Sequence, residues 1–127
     1  HTPGYVPYSS LPVWLGRADV FVHPGVREPW GVSVNEALSA GVPVVASSGV
    51  GAATELVLPQ NCGLVFPARD AHALFECLET LLLNQVLRAN YAAKALRVGQ
   101  ARHSGMTILQ FQKAIDAVRR GSINARG

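Results

Sequence analysis

Residues 18–47 read ADVFVHPGVREPWGVSVNEALSAGVPVVAS, and this stretch decides the fold. Two short runs of apolar, β-branched residues, at 20–22 and 42–45, bracket a segment with helical spacing. A third such run follows at 64–66, and each run is bounded by Gly, Pro or Ser. Strand-like runs that alternate with helical segments are typical of parallel βαβ units. The sequence therefore predicts an α/β fold built on half of a doubly wound parallel sheet.

The segment between the first two runs carries one apolar stripe. Val34, Ala37, Leu38 and Gly41 fall at positions i, i+3, i+4 and i+7, which places them on the face of a helix that packs on the sheet. Gly41 is expected to end this helix. Glu36 lies about 200° around the helix from Val34, so we expect its carboxylate to point away from the sheet and to be available to a ligand.

The regions outside this stretch are predicted from the same signals. A fourth strand is expected at 4–6, followed by a short helix at about 10–17 that Ser10 caps. Three helices are expected after the last strand, at 70–83, 85–102 and 107–120. Residues 121–127 are polar enough to be disordered, which leaves 1–120 as the folded unit.

Composition limits the chain to one modest domain. It has 127 residues, of which 49% are hydrophobic and 15% charged, as in a packed globular core. No apolar run approaches the roughly 18 residues of a membrane-spanning helix, and no signal peptide is visible, so we expect a cytoplasmic protein. Because the chain begins at His1 and reaches a strand-like segment at once, we expect a fragment of a longer protein. Cys62 and Cys77 lie among apolar neighbours and are expected to be small buried side chains.

Charge is distributed unevenly along the chain. Up to Thr80 there are three basic and seven acidic residues, whereas eight basic residues and Asp116 follow it. A solvated helix surface explains this asymmetry best, although an anionic membrane face or a phosphate-bearing substrate would also suit it. Aromatic residues do not interleave with the basic ones as base stacking would require, so we do not expect nucleic acid as a partner.

Candidate ligand-binding residues lie where the loop after the first strand enters the helix. Open α/β sheets bind ligands at the carboxyl ends of their strands. Gly31 lets an anion approach the backbone, and the N–H groups near Val32 and Ser33 lie at the positive end of the helix dipole, which favours a diphosphate. Glu28 and Glu36 flank this position, and a carboxylate accepts hydrogen bonds well from vicinal hydroxyls. The spacing fits two ordinary surface glutamates equally well.

Several segments together resemble one family. They are Ala18-Asp19-Val20-Phe21-Val22-His23-Pro24, the Glu28-x7-Glu36 pair with Ala37 to Ser47, Gly51 with Glu55, and Asn61-Cys62-Gly63-Leu64-Val65-Phe66-Pro67. In this order and spacing they resemble the GT-B glycosyltransferases of family 4, also called glycosyltransferase group 1. The resemblance covers about 4–83.

The resemblance implies the carboxy-terminal, Rossmann-like domain of a GT-B enzyme, which binds the donor. Such enzymes transfer a sugar from a nucleoside-diphosphate sugar, with retention and usually without a metal, to a saccharide or lipid-linked acceptor bound by an amino-terminal domain. By resemblance Glu28 is the catalytic residue and contacts the donor sugar, and Glu36 holds the ribose hydroxyls. Trp30, Gly31 and Val32 line the donor pocket with their backbone, and the loop 47–51 lies nearby. No cofactor or metal is implied.

The departures from the family bear on activity. Gly25 stands where the family commonly has Ser, and the basic residues that neutralise the diphosphate are absent, as is the acceptor domain. We therefore expect this chain alone to be inactive.

The alternatives to a glycosyltransferase are a non-catalytic nucleotide-sugar-binding module and a GT-B-like sugar-nucleotide epimerase. A phosphorylase is disfavoured because Lys94 and Lys113 lie in outlying helices. The basic tail suggests contact with the inner face of the membrane.

Other chemistries lack their residue sets. His23, His72 and His103 are too scattered for a metal site, and His23 is interpreted as a partly buried residue at the end of a strand. Ser33 and Ser47 lie outside any G-x-S-x-G motif, which argues against a hydrolase. Trp30 is expected to pack more readily than to stack on a sugar.

Overall fold

Three parallel strands form the sheet in chain order: β1 (Phe21–His23), β2 (Val44–Ser47) and β3 (Gly63–Phe66). The computed structural model describes residues 4–103. Val22 pairs with Val45, and Val45 pairs with Leu64, so the three strands end at one edge. All three strands of the βαβ pattern are confirmed. Strand β2 begins at Val44, later than the apolar run at 42–45, because Pro43 has no N–H to donate. The Pro43 carbonyl still accepts a hydrogen bond from the Phe21 N–H at 2.8 Å.

Helices cover both faces of the sheet. Before β1 lie a 3-10 turn (Tyr8–Ser10) and helix α1 (Leu11–Leu15). Helix α2 (Val32–Ser39) joins β1 to β2, and a helical stretch with a π-helical segment (Ala53–Val57) and α3 (Leu58–Gln60) joins β2 to β3. These connections pack on the face that carries Val44 and Ala46. Helix α4 (Ala71–Leu83) covers the opposite face, where Val45 and Phe66 lie. The predicted α/β class, a parallel sheet with helices, is confirmed.

Helix α5 (Gln85–His103) packs along α2 at very short range. A Cβ placed on Gly99 would overlap the backbone of Ser39 and the carbonyl of Leu38, so this crossing accepts glycine alone. Gly41, at φ +74°, ends α2 as predicted, and it lies against Leu96 of α5. The backbones of α2 and α5 therefore touch where α2 ends.

The predicted bounds of α4 and α5 agree closely with the structure. The Asp70 carboxylate caps α4 by accepting a hydrogen bond from the Ala73 N–H at 2.9 Å. Between the helices the Asn84 side chain accepts from the Leu87 N–H at 2.9 Å, and Arg88 donates to the carbonyls of Leu81 and Leu82 at 2.8 and 3.0 Å. One arginine thus satisfies carbonyls at the end of α4.

The predicted strand at 4–6 is wrong. Residues 4–7 form no regular element, Gly4 has φ +75°, and Tyr5 is 90% exposed, so this segment adds no strand to the sheet. The helix after it is shorter than predicted, and the Ser10 side chain caps nothing, because the Ser10 backbone is already helical. The predicted helix at 107–120 and the tail at 121–127 lie outside the described residues.

The cysteines are free thiols in two different environments. Cys62 is fully buried, as predicted, whereas Cys77 is only half-buried. Burial raises the pKa of the Cys62 thiol to about 11, so it remains protonated at neutral pH.

Candidate functional site

Two loops leave the carboxyl ends of β1 and β2 and are bound together through their backbones. We call residues 24–31 and 48–52 the loop pair. The Glu28 N–H donates to the Gly49 carbonyl at 2.8 Å, and the Glu28 carbonyl accepts from the Gly51 N–H at 3.0 Å. The Ala52 N–H donates to the Trp30 carbonyl at 2.8 Å. These bonds extend the parallel pairing beyond the strands and fix the position of Glu28.

Glycines allow the two loops to approach this closely. A Cβ on Gly49 would overlap the Val26 carbonyl, and a Cβ on Gly51 would overlap the Pro29 carbonyl. In each case the obstacle is backbone, which cannot rotate away as a side chain can. The contact between the loops therefore depends on the absence of side chains at both positions.

A buried hydroxyl adds a second tie between the loops. Ser47 is fully buried; its Oγ donates to the Gly25 carbonyl and accepts from the Gly49 N–H at 3.2 Å. From the sequence, the loop 47–51 is predicted only to lie near the site, and no structural role for Ser47 follows from it. The signal that could have found it is a hydroxyl at the end of a fully apolar strand, because buried hydroxyls need partners.

His23 lies beneath the first loop, half-buried as predicted for the end of a strand. Its Nδ1 accepts a hydrogen bond from the Gly25 N–H at 3.3 Å, and its ring stands edge-on to Phe21. Its Nε2 lies 3.5 Å from the place where a Cβ on Gly31 would be. Because Nδ1 accepts, the neutral imidazole carries its proton on Nε2, beside the start of α2.

Gly31, which is predicted to let an anion approach the backbone, lies at the start of α2 and is buried. It is the N-cap residue at φ +91°, and a Cβ there would lie 2.7 Å from a methyl group of Val50. No side chain caps α2, and the N–H groups of Val32 and Ser33 belong to its first turn, which has no carbonyl partners within the helix. The side chain of Val32 is 65% exposed. The positive end of the helix dipole is thus available beside the loop pair.

The two predicted glutamates occupy different surroundings. Glu28 is half-buried within the loop pair, and its Oε1 accepts a hydrogen bond from the Trp30 N–H at 3.5 Å. Glu36 faces away from the sheet, as predicted, into a cavity of about 370 Å³ that we call the outer groove. Residues of α1, α2 and α5 line this groove: Tyr8, Leu11, Pro12, Leu15, Ser39, Ala40, Gly99 and Gln100. Glu28 therefore precedes α2, within the loop pair, whereas Glu36 lies in the second turn of α2 and faces the outer groove.

Trp30 is half-buried, and its ring packs against the core on the α2 face. The guanidinium of Arg102, from the end of α5, lies 5.4 Å from the centre of the ring. Arg102 was not among the residues singled out from the sequence, because 72 positions separate it from Trp30. The expectation that Trp30 packs is met by this arrangement.

Known proteins resemble this chain over most of its length. The family described as "Glycosyl transferases group 1" matches residues 1–98. The chain belongs to this family. It is 40% identical over 80 residues to the phosphatidyl-myo-inositol mannosyltransferase of Mycobacterium leprae (strain TN), covering 62% of this chain and 21% of that protein. It is 34% identical over 114 residues to the lipopolysaccharide core biosynthesis mannosyltransferase LpsB of Rhizobium meliloti (strain 1021), covering 87% of this chain and 31% of that protein.

Two solved structures share the fold of this group 1 chain. Sucrose-phosphate synthase from Thermosynechococcus elongatus superposes with a TM-score of 0.80 at 28% identity, over 93% of this chain and 30% of that one. HepE of Anabaena, solved in complex with UDP, gives a TM-score of 0.73 at 25% identity, over 82% of this chain and 29% of that one. The chain thus spans less than a third of these relatives, and the family predicted from the sequence is confirmed.

Between residues 4 and 103, no helix has both the length and the apolar character that crossing a membrane requires. Over the same range, no group of three or more His, Cys, Asp or Glu side chains is placed to hold a metal ion.

Proposed function

We propose that this chain is the donor-binding half of a retaining glycosyltransferase, which transfers a sugar from a nucleoside-diphosphate sugar to a saccharide or lipid-linked acceptor. The observation that carries the proposal is the start of α2 at Gly31, which no side chain caps, with Glu28 in the loop before it and Glu36 one turn further along the helix. The protein works in the cytoplasm, at the inner face of the membrane, and an amino-terminal domain supplies the acceptor site.

The diphosphate of the donor binds at the first turn of α2. The N–H groups of the first turn, which have no carbonyl partners within the helix, and the helix dipole both attract an anion there, and Gly31 places no side chain at the start of the helix. His23 Nε2–H lies beside the same turn. The loop pair holds this arrangement in place before ligand arrives, so little ordering is required on binding.

The nucleoside occupies the outer groove. Glu36 accepts hydrogen bonds from the ribose hydroxyls, and the apolar side chains of Tyr8, Leu11 and Leu15 cover the base. The volume of about 370 Å³ suits a ligand of that size. The UDP complex of HepE supports a nucleotide site on this fold.

Glu28 acts on the sugar side. Its carboxylate lies in the loop pair, where it accepts from sugar hydroxyls and stabilises positive charge at the anomeric carbon as the leaving diphosphate departs. The start of α2 stabilises the negative charge on that leaving group. Excluding water requires closure of a second domain, so the chain alone transfers no sugar.

The test is ligand-observed NMR of the chain with UDP-, GDP- and ADP-sugars. We expect one base to bind selectively and Glu36→Ala to abolish that binding. Glu79→Ala, an exposed carboxylate on α4, is the matched control and should bind as the parent does. Binding that survives Glu36→Ala, or that is lost equally in Glu79→Ala, would contradict the assignment of the ribose contact.

A further inference from the structure

A second cavity, of about 530 Å³, lies between α5 and the helical stretch that ends at Gln60. We call it the basic cleft. Its polar lining consists of Gln60 and Asn61 on one side and Lys94, Arg97 and Arg102 on the other. We propose that the basic cleft binds a phosphate-bearing group, at a site that shares no lining residue with the outer groove or with the first turn of α2.

The three cations have no acidic partners in the described part of the chain. Ion pairs among residues 4–103 involve His72 with Glu76 and Arg88 with Asp19, and none reaches Lys94, Arg97 or Arg102. Like charges one turn apart on a helix repel each other. The cleft thus concentrates positive charge that a bound anion would neutralise.

The position of the charges argues for a ligand rather than for support of the helix. Cations stabilise a helix by interaction with its dipole only within its last turn. Lys94 and Arg97 lie in the interior of α5, where the helix dipole contributes little stabilisation to a cation. From Lys94 to Arg102 the helix rises about 12 Å. The distance between these charges is therefore greater than the size of one phosphate.

Aromatic rings and amides complete the site. Arg102 lies over Trp30 at 5.4 Å, and Lys94 lies over Tyr91 at 5.8 Å, contacts that favour defined positions for both cations. Gln60 and Asn61 are exposed and offer amide N–H donors across the cleft. A single head group fits this concave surface better than nucleic acid, which needs a longer basic track with stacking rings.

The phosphate group belongs either to a lipid head group or to a soluble phosphorylated molecule. The full-length protein is sedimented with phosphatidylcholine vesicles with and without phosphatidylglycerol, and it is titrated with pyrophosphate while backbone amide shifts are followed by NMR. Vesicle binding that needs phosphatidylglycerol indicates the lipid. Shifts at 60–61 and 94–102 without vesicle binding indicate the soluble molecule.

The matched variants decide whether the cleft itself is responsible. Lys94→Gln/Arg97→Gln should weaken binding about thirtyfold, since each cation near an anionic surface contributes roughly fivefold. Arg17→Gln/Arg69→Gln removes two exposed charges from outside the cleft and should weaken it far less. Equal weakening in both variants, absence of both kinds of binding, or tighter binding to a mixed-sequence oligonucleotide would each overturn the proposal. Pyrophosphate shifts confined to 31–33 would also overturn it, while leaving the donor site supported.

Discussion

The loop pair and the outer groove adjoin α2, and they are built in different ways. In the loop pair, backbone groups bond to backbone groups, Gly49 and Gly51 allow the backbones to approach closely, and the buried Ser47 ties the loops together. In the outer groove, residues of the 3-10 turn and of α1, α2 and α5 leave a space, and Glu36 lines it. The loop pair therefore fixes positions before binding, whereas the groove supplies contacts that a ligand completes.

Gly51→Ala should break the loop pair and give the largest effect. The added Cβ meets the Pro29 carbonyl, and backbone must move to admit it. We expect the free energy of unfolding to fall by about 3 kcal/mol or more, as for severe overpacking, measured by urea denaturation. Gly16→Ala is the control. Gly16 has φ −63°, and the atom nearest to a Cβ added there, the Pro12 carbonyl oxygen, lies 3.1 Å away. Similar losses in the two variants would show that the loops are not specially constrained.

Glu36→Gln should weaken nucleotide binding without changing stability. Hydrogen bonds to a charged group contribute about 1.5–3 kcal/mol, so the Kd for the preferred nucleoside diphosphate should rise about tenfold to a hundredfold. Titration calorimetry on the chain measures it. Glu28→Gln is the counterpart in the loop pair. It should leave that Kd nearly unchanged and lower kcat in the full-length enzyme, and the reverse pattern would exchange the two roles.

Substitution of His23 should give a smaller effect that separates packing from hydrogen bonding. His23→Asn keeps an acceptor near the position of Nδ1, whereas His23→Ala removes the bond to the Gly25 N–H. We expect Ala to lower the free energy of unfolding by about 1 kcal/mol more than Asn does, measured by thermal unfolding. Equal effects would mean that the ring acts by filling space alone.

The sequence predicted what depends on neighbours along the chain. The strands at 20–22 and 64–66, the apolar stripe of α2, and the direction of Glu36 all follow from local spacing, and the structure agrees. The wrong prediction of a strand at 4–6 also came from local sequence alone. An extended run of residues becomes a strand only where another strand pairs with it.

Contacts between distant segments could not be predicted in this way. The bond from Ser47 to Gly25 depends on the register of β1 with β2, and the approach of Arg102 to Trp30 depends on how α5 crosses α2. Neither leaves a periodic signal in the sequence. The roles of Glu28 and Glu36 as donor ligands stay predictions, whereas the structure places Glu28 in the loop pair and Glu36 in the outer groove.

The crossing at Gly99 has a consequence for motion. Helix α2 is held at its start by the loop pair and at its end by the backbone of α5, so it has no free end from which to fray. Amide hydrogen exchange in the interior of α2 should then require opening of the whole domain, with a protection factor near that of the central strand. A helix of this length with free ends would exchange quickly. Slow exchange of the α2 amides would therefore indicate that α2 is the part of the domain that moves least when ligand binds.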